Sequence, residues 1–265
     1  NVLREMTREE LLKATGCSPA ILKAVCERGI LEEYEKTVDR IPVGSIPVEL
    51  VLQPLSAAQQ TAKDSICREW QKTDICLLHG VTSSGKTEIY IHLISEALAQ
   101  GKQVLYILPE IVLTSQLTDR LRRVFGDRLG VYHSRYTDAE RVEVYRKQVS
   151  DHPYDIMVGV RSSVLLPFHN RGLVIIDEEH ESSFKQAEPA PRYHARSVAL
   201  MMAKMMGAKT LLGTATPSLE TYSNAVSGKY GYVPLKTRFG NVSLPEIEVV
   251  DIAELKRKKL MNGPF

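Results

Sequence analysis

Residues 80–87 read Gly80-Val81-Thr82-Ser83-Ser84-Gly85-Lys86-Thr87. Glycines bracket a short run of small side chains, and a Lys-Thr pair follows. This spacing is suited to phosphate. The glycines let consecutive backbone N–H groups turn inward, and a helix starting near Lys86 adds its positive end. The Lys86 ammonium is then expected to reach the β- and γ-phosphates and the Thr87 hydroxyl to ligate Mg²⁺, with Glu88 next along the binding segment. A glycine-serine turn of no consequence is the bland alternative. The apolar strand pattern before the loop and the helical pattern after it argue against that, so ATP and Mg²⁺ are the expected cofactors.

A second segment, Leu173-Val174-Ile175-Ile176-Asp177-Glu178-Glu179-His180, is an apolar strand ending in acid. Strand ends at the carboxyl edge of a parallel sheet face the ligand crevice. Asp177 is expected to bind Mg²⁺, directly or through water. Glu178 is expected to orient or deprotonate the attacking water beside the γ-phosphate. An exposed acidic turn would bear no relation to the Lys-Thr loop, whereas these acids are aimed at the same sheet edge. Lys86, Asp177 and Glu178 therefore point to a hydrolase, not a passive nucleotide binder. A third segment, "LLGTATPS", sets Gly213, Thr214 and Thr216 at another strand end, where hydroxyls can sense the γ-phosphate through the acids. Taken alone it is also a plain turn. Upstream, Gln59 has donors and an acceptor that suit an adenine edge, or it is a solvent-facing helix residue.

The elements that must position these groups are legible. Apolar runs of strand length recur at 75–79, 103–108, 129–133, 155–160, 173–177 and 209–213. Helical patterns lie at 86–100, 113–125, 137–149, 194–206 and 218–227. The alternation predicts an α/β fold, a parallel sheet sandwiched by helices. Before it, residues 1–40 form a small helical unit. One helix is expected over "TREELLKATG", with Thr7 as N-cap and Glu10 as its capping-box partner. A second follows Ser18 and Pro19, and "ILEEYEKTV" is a candidate strand. That outline is winged-helix-like, with an ordinary helical hairpin as the alternative. Residues 41–54, rich in proline, read as a linker, 55–236 as the nucleotide-binding lobe and 237–265 as a connector.

Bulk properties narrow the classes. The chain has 265 residues and is 43% hydrophobic, enough for a sizeable core. Its 34 basic and 32 acidic residues give a net charge of +2, which by itself does not announce nucleic acid. Cys17, Cys26, Cys67 and Cys76 form no C-x-x-C pair, so neither a zinc site nor a disulfide framework is expected. No apolar run approaches the ~18 residues of a membrane helix, and no signal-peptide pattern opens the chain. A cytoplasmic protein with no membrane partner is expected, and the absence of an initial Met suggests a fragment. The methionines of "MMAKMM" share one helix face and are expected in the core. His133, His152, His169 and His194 lack metal-ligand spacing.

Gln59, the phosphate loop, "IIDEEH" and "GTATPS", in this chain order, resemble the first motor lobe of superfamily 2 DExH helicases. "GVTSSGKTEIY", "LPEIVLT", "HSRYTDAER", "VGVRSSVLLPF", "IIDEEHESSFKQ", "RYHAR" and "GTATPSLET" resemble more narrowly the bacterial primosomal replication-restart helicases (PriA family). The resemblance covers about 55–236, and the 1–40 module fits that family's winged helix. It implies a RecA-like P-loop NTPase lobe in an ATP-dependent 3′-to-5′ DNA helicase that acts at stalled forks. Forked and single-stranded DNA, other primosome proteins and single-strand-binding protein are the implied partners. His180 is implied to couple hydrolysis to DNA. Pro109, Glu110, Thr114, Arg161 and Ser162 are implied to line the DNA path. The stretch 182–196 matches an aromatic-rich loop responsive to single strands, in which Phe184, Lys185, Arg192 and Tyr193 stack on bases or bind backbone phosphate. A polar surface excursion is the bland reading of that loop.

Three departures from the family stand out. Ser197 follows Arg196 where an acid is usual, and "AEPAP" adds prolines. The second motor lobe, with its arginine finger and zinc-binding cysteines, is missing, so zinc is expected only outside this chain. The domain that grips a nascent 3′ end is missing too. A lone lobe is expected to bind nucleotide, hydrolyse it poorly and unwind nothing. A double-strand DNA translocase lobe and a nucleotide-gated docking module without turnover remain the competing readings.

Overall fold

The structure, a computed structural model, describes Met6, residues 8–33, residues 52–238 and Arg257. The chain divides into two compact units, Asn1–Pro42 and Val43–Phe265. In the first, α1 (Arg8–Thr15) and α2 (Pro19–Glu27) are joined through Gly16, whose positive φ of 65° ends α1. Pro19 opens α2 as expected. Ser18 has the extended backbone of a cap, yet its hydroxyl makes no capping hydrogen bond. Thr7, the side chain of Glu10 and most of the candidate strand lie outside the described residues, and Ile30–Glu33 are in no strand.

The second unit carries the sheet. Its elements are α3 (Ala57–Glu69), β1 (Ile75–Gly80), α4 (Lys86–Ala99), β2 (Gln103–Ile107), α5 (Ser115–Phe125), β3 (Leu129–Tyr132), α6 (Asp138–Val149), β4 (Ile156–Gly159), β5 (Arg171–Asp177), α7 (Ala195–Met205), β6 (Lys209–Thr214), α8 (Leu219–Val226) and β7 (Gly231–Leu235). The strands run in the order β3-β4-β2-β5-β6-β1-β7, and every pairing is parallel. The α/β sandwich expected from the alternating runs is therefore the fold. Successive strand residues face opposite layers. Cys76, Leu78, Val104, Tyr106, Leu173 and Ile175 join Ile66, Ile89, Ile94 and Leu121 in one core under α3, α4 and α5. Leu77, Leu105, Val174, Ile176 and Leu212 are equally buried and occupy the alternate strand positions, on the sheet that α7 and α8 also contact. Each such side chain contributes roughly 1.5–3 kcal/mol of burial.

The hydroxyls of Ser56, Thr114, Thr137 and Ser218 cap the starts of α3, α5, α6 and α8. Thr137 accepts from Glu140 N at 3.3 Å and Glu140 answers on Thr137 N at 2.7 Å, a capping box that fixes α6. Two further features depart from the sequence reading. Strand β7 was not expected, because Pro234 interrupts a short run; it is tolerated at the sheet edge beside β1. The methionines of α7 are not core. Ala195, Ala199 and Ala203 are its buried stripe, while Met201 is 61% and Met205 78% exposed. Alanine on the inner face lets α7 lie close against β5, β6 and the turn at Arg161–Leu165.

Candidate active site

Adjacent strands β5, β6 and β1 bring three loops side by side. Asp177 pairs in register with Gly213, and Gly213 with Leu78 of β1, two residues before that strand's end. The phosphate loop leaves β1 and is closed by Ser84 N donating to Val81 O (3.1 Å) and Val81 N donating to Leu235 O (3.1 Å). Gly85 sits at φ +79°, immediately before α4. A side chain there would be strained by that φ, and its Cβ, 2.2 Å from Gln59 Nε2, would force the Gln59 amide to move. Ser83 takes a positive φ of 60° as well. Lys86 Nζ donates to Gly80 O at 3.1 Å and lies 3.8 Å from Glu178 Oε1. Thr82 and Ser83 are exposed, Val81 and Thr87 half-buried, and the buried Ser84 hydroxyl has no protein partner.

Gln59 is placed differently from the expectation of an amide facing adenine. It is buried. Its Oε1 accepts from Ser56 N (2.9 Å), and Nε2 donates to Ser84 O and Gly85 O (both 3.3 Å). As the capping-box residue of α3 it braces the phosphate loop, so reading adenine would require trading those bonds. Glu88 also turns from the loop, forming an ion pair with Arg120 of α5.

The acidic segment splits at Glu178, whose φ is +47°. That conformation is uncommon outside glycine. It sends successive side chains to different places. Asp177 is only 7% exposed. Its Oδ1 accepts from Tyr90 Oη (2.9 Å) and Glu178 N (3.2 Å), and its Oδ2 from Tyr106 Oη (3.3 Å). Burial pushes its carboxyl above the usual range, and the neighbouring Glu178 charge adds to this. Glu178 Oε2 accepts from Thr214 Oγ1 at 3.4 Å. His180 Nδ1 meets the same hydroxyl at 2.8 Å, and its Nε2 meets Thr216 Oγ1 at 3.3 Å. Thr214 thus touches Glu178 and His180, and Thr216 touches His180.

Glu179 was given no role by the sequence. It is fully buried, accepting from Ser218 N (2.7 Å), Ser218 Oγ (3.1 Å), Thr221 Oγ1 (2.8 Å) and the Arg196 guanidinium. Arg196 in turn donates to Ser218 Oγ at 2.7 Å. This network ties the end of β5 to the starts of α7 and α8. Arg196 and Ser218 fall in "RYHAR" and "GTATPSLET", two of the segments that carry the resemblance, but nothing in the sequence pairs them.

Among the residues expected along DNA, Phe184 is 1% exposed, so its ring is core and unavailable for stacking on a base. Lys185 and Arg192 are exposed, and Tyr193 half-buried. The excursion between them is closed by a bridge from Lys185 to His194 and by Gln186 N donating to Tyr193 O at 2.8 Å. The Gln186 amide donates to Pro189 O (2.8 Å) and Pro191 O (3.1 Å), which organises the extra prolines. Arg161 donates to Lys185 O at 3.1 Å, anchoring the same loop. Ser162 is half-buried and Pro109 buried. Glu110 is exposed and bonded by Ser134, and Thr114 caps α5 through Leu117 N at 3.3 Å.

The donors fit Mg²⁺. A hydroxyl and one carboxylate suit a small, hard cation that keeps phosphate and water ligands. Among the described residues no cluster of three His, Cys, Asp or Glu side chains offers a metal cage instead.

The DEAD/DEAH box helicase family matches residues 56–225, and the "Winged helix domain, PriA helicase, Bacteroidota" family matches residues 1–38. The chain is 40% identical over 258 residues to replication restart protein PriA of Bacillus subtilis, covering 96% of this chain and 31% of that protein. It is 38% identical over 258 residues to the protein of that name from Synechocystis, with the same coverage of each. The chain thus spans about a third of these relatives' length. A solved ATP-dependent type ISP restriction-modification enzyme bound to DNA matches 68% of this chain and 15% of its own, at 20% identity and a TM-score of 0.48. With the phosphate loop, the Asp-Glu-Glu-His strand end and the Thr214–Thr216 turn meeting at one sheet edge, the chain belongs to the DEAD/DEAH box helicase family.

Proposed function

We propose that this lobe binds ATP with Mg²⁺ and is the first motor lobe of a 3′-to-5′ DNA helicase of replication restart. The observation that carries the reading is the meeting of Lys86, Asp177 and Glu178 at one sheet edge, with Lys86 Nζ 3.8 Å from Glu178 Oε1. Lys86 would hold the β- and γ-phosphates, and Thr87 and Asp177 the cation. Bound Mg²⁺ supplies charge neutralisation on the phosphates. Glu178 would orient the attacking water and take its proton. Thr214, Thr216 and His180 contact Glu178 or one another, so a change at the γ-phosphate would reach the rest of the lobe through them. Lys185, Arg192 and Tyr193 would meet single-stranded or forked DNA, while Arg161 holds their loop. Primosome proteins and single-strand-binding protein are the proposed protein partners, and the cytoplasm the proposed location.

Lys86→Ala is expected to abolish nucleotide binding. Glu178→Gln is expected to bind nucleotide and lose turnover, read in full-length protein with no DNA, duplex, single strand and fork. Hydrolysis by Glu178→Gln at the unmodified rate would overturn the assignment of Glu178. Stimulation by plain duplex alone would favour a double-strand translocase. An absence of turnover on every DNA would favour a nucleotide-gated docking module.

A further inference from the structure

We infer that Tyr90 and Tyr106 are positioning residues for the Mg²⁺ carboxylate: their phenols hold Asp177 in the plane and orientation that receives the cation. The inference rests on the reading of Asp177 as the Mg²⁺ residue and names what makes it one.

Both phenols are completely buried, one on the helix that follows the phosphate loop and one on β2. Their rings meet edge-on at 5.7 Å. Apolar packing at these positions needs only the rings, and phenylalanine would supply it. A buried hydroxyl needs a partner. Here both hydroxyls have the same one, Tyr90 on Oδ1 at 2.9 Å and Tyr106 on Oδ2 at 3.3 Å. With Glu178 N on Oδ1 at 3.2 Å, donors from three separate elements fix both carboxylate oxygens.

Gly213 shows that the backbone makes room for this arrangement. A Cβ at that position would stand 1.8 Å from the Tyr90 hydroxyl and 3.4 Å from Asp177 Oδ1. The turn that carries Thr214 and Thr216 therefore begins with a residue whose missing side chain admits the phenol. Tyr90 also lies one helical turn beyond Lys86 and Thr87. One rigid helix thus bears the phosphate lysine, the cation hydroxyl and the prop for the cation carboxylate. Groups that orient a metal ligand are commonly worth tenfold or more in metal affinity.

The test uses Tyr90→Phe, Tyr106→Phe and the double variant, which keep the rings. Bound Mn²⁺ is counted by electron paramagnetic resonance in the presence of ADP, and affinity for a fluorescent ATP analogue is titrated against Mg²⁺ and in EDTA. The expected result is a rise of about tenfold in the half-saturating Mn²⁺ and Mg²⁺ for Tyr90→Phe, with EDTA affinity unchanged. Tyr106→Phe, whose bond is longer, should shift less. Unaltered cation dependence in both variants overturns the inference while leaving ATP·Mg²⁺ binding intact. So does an equal loss with and without the cation, which marks a packing role. Unmodified protein that binds nucleotide with no cation dependence overturns the Mg²⁺ reading of Asp177 itself. Should Tyr90→Phe fail to fold, Tyr106→Phe decides by the same readouts.

Discussion

Gly213 leaves no room for a methyl group. Its neighbour is the Tyr90 hydroxyl, which a Cβ would approach to 1.8 Å, with the ring carbon behind it at 2.8 Å. Overpacking of this kind costs about 1–3 kcal/mol. Gly213→Ala is expected to fall in that range by urea unfolding. Tyr90→Phe in the same chain should restore part of the loss, because it removes the nearer clash only. A coupling energy below roughly 0.5 kcal/mol would show the two sites to be independent. At this scale the sequence was informative where chemistry depends on a local run. The glycines and lysine of the phosphate loop and the acid at a strand end could be named in advance. Tyr90 and Tyr106 could not, since an aromatic residue inside an apolar run looks the same whether its hydroxyl has a carboxylate partner or merely skirts the core. Gln59 shows a related limit. Its role as the capping partner of Ser56 is local, but its bonds to Ser84 and Gly85 are tertiary.

At the scale of elements, Glu179 holds β5, α7 and α8 together. Its charge is satisfied by one guanidinium, two hydroxyls and a backbone N–H. Glu179→Ala would strand the Arg196 cation. Breaking one partner of a buried pair costs roughly 3–5 kcal/mol, so this variant should show a large drop in urea midpoint, and Glu179→Gln a smaller one. An unchanged midpoint for Glu179→Ala would mean that Arg196 finds another acceptor. Helices and strands were mostly readable because their apolar periods are local. The fate of Glu179 was not, because it depends on the positive φ of Glu178, which residue type alone does not announce. Strand β7 escaped for the same kind of reason. Its place is set by pairing with β1, and Pro234 disguises it. The burial of Phe184 likewise follows from the short turn at Ser182–Phe184, which tucks the ring inward.

At the scale of the whole molecule, the sheet order gathers loops that are far apart in sequence. A ligand that bridges them should stabilise the lobe as one body. At a concentration a hundredfold above its dissociation constant, ATP with Mg²⁺ is expected to add about 2.7 kcal/mol to unfolding. Differential scanning fluorimetry should show a rise in Tm that disappears in Lys86→Ala. A rise of equal size in that variant would place the nucleotide elsewhere. Fold class was legible because continuous apolar strands alternating with helices leave few arrangements. A net charge of +2 gave no comparable hint of DNA. The outer face of α7 carries a different consequence. Alanine forms its buried face, so Met201 and Met205 stand largely in solvent. Mild peroxide should convert them to sulfoxides while the melting temperature stays where it was, making this helix a surface that tolerates oxidative wear.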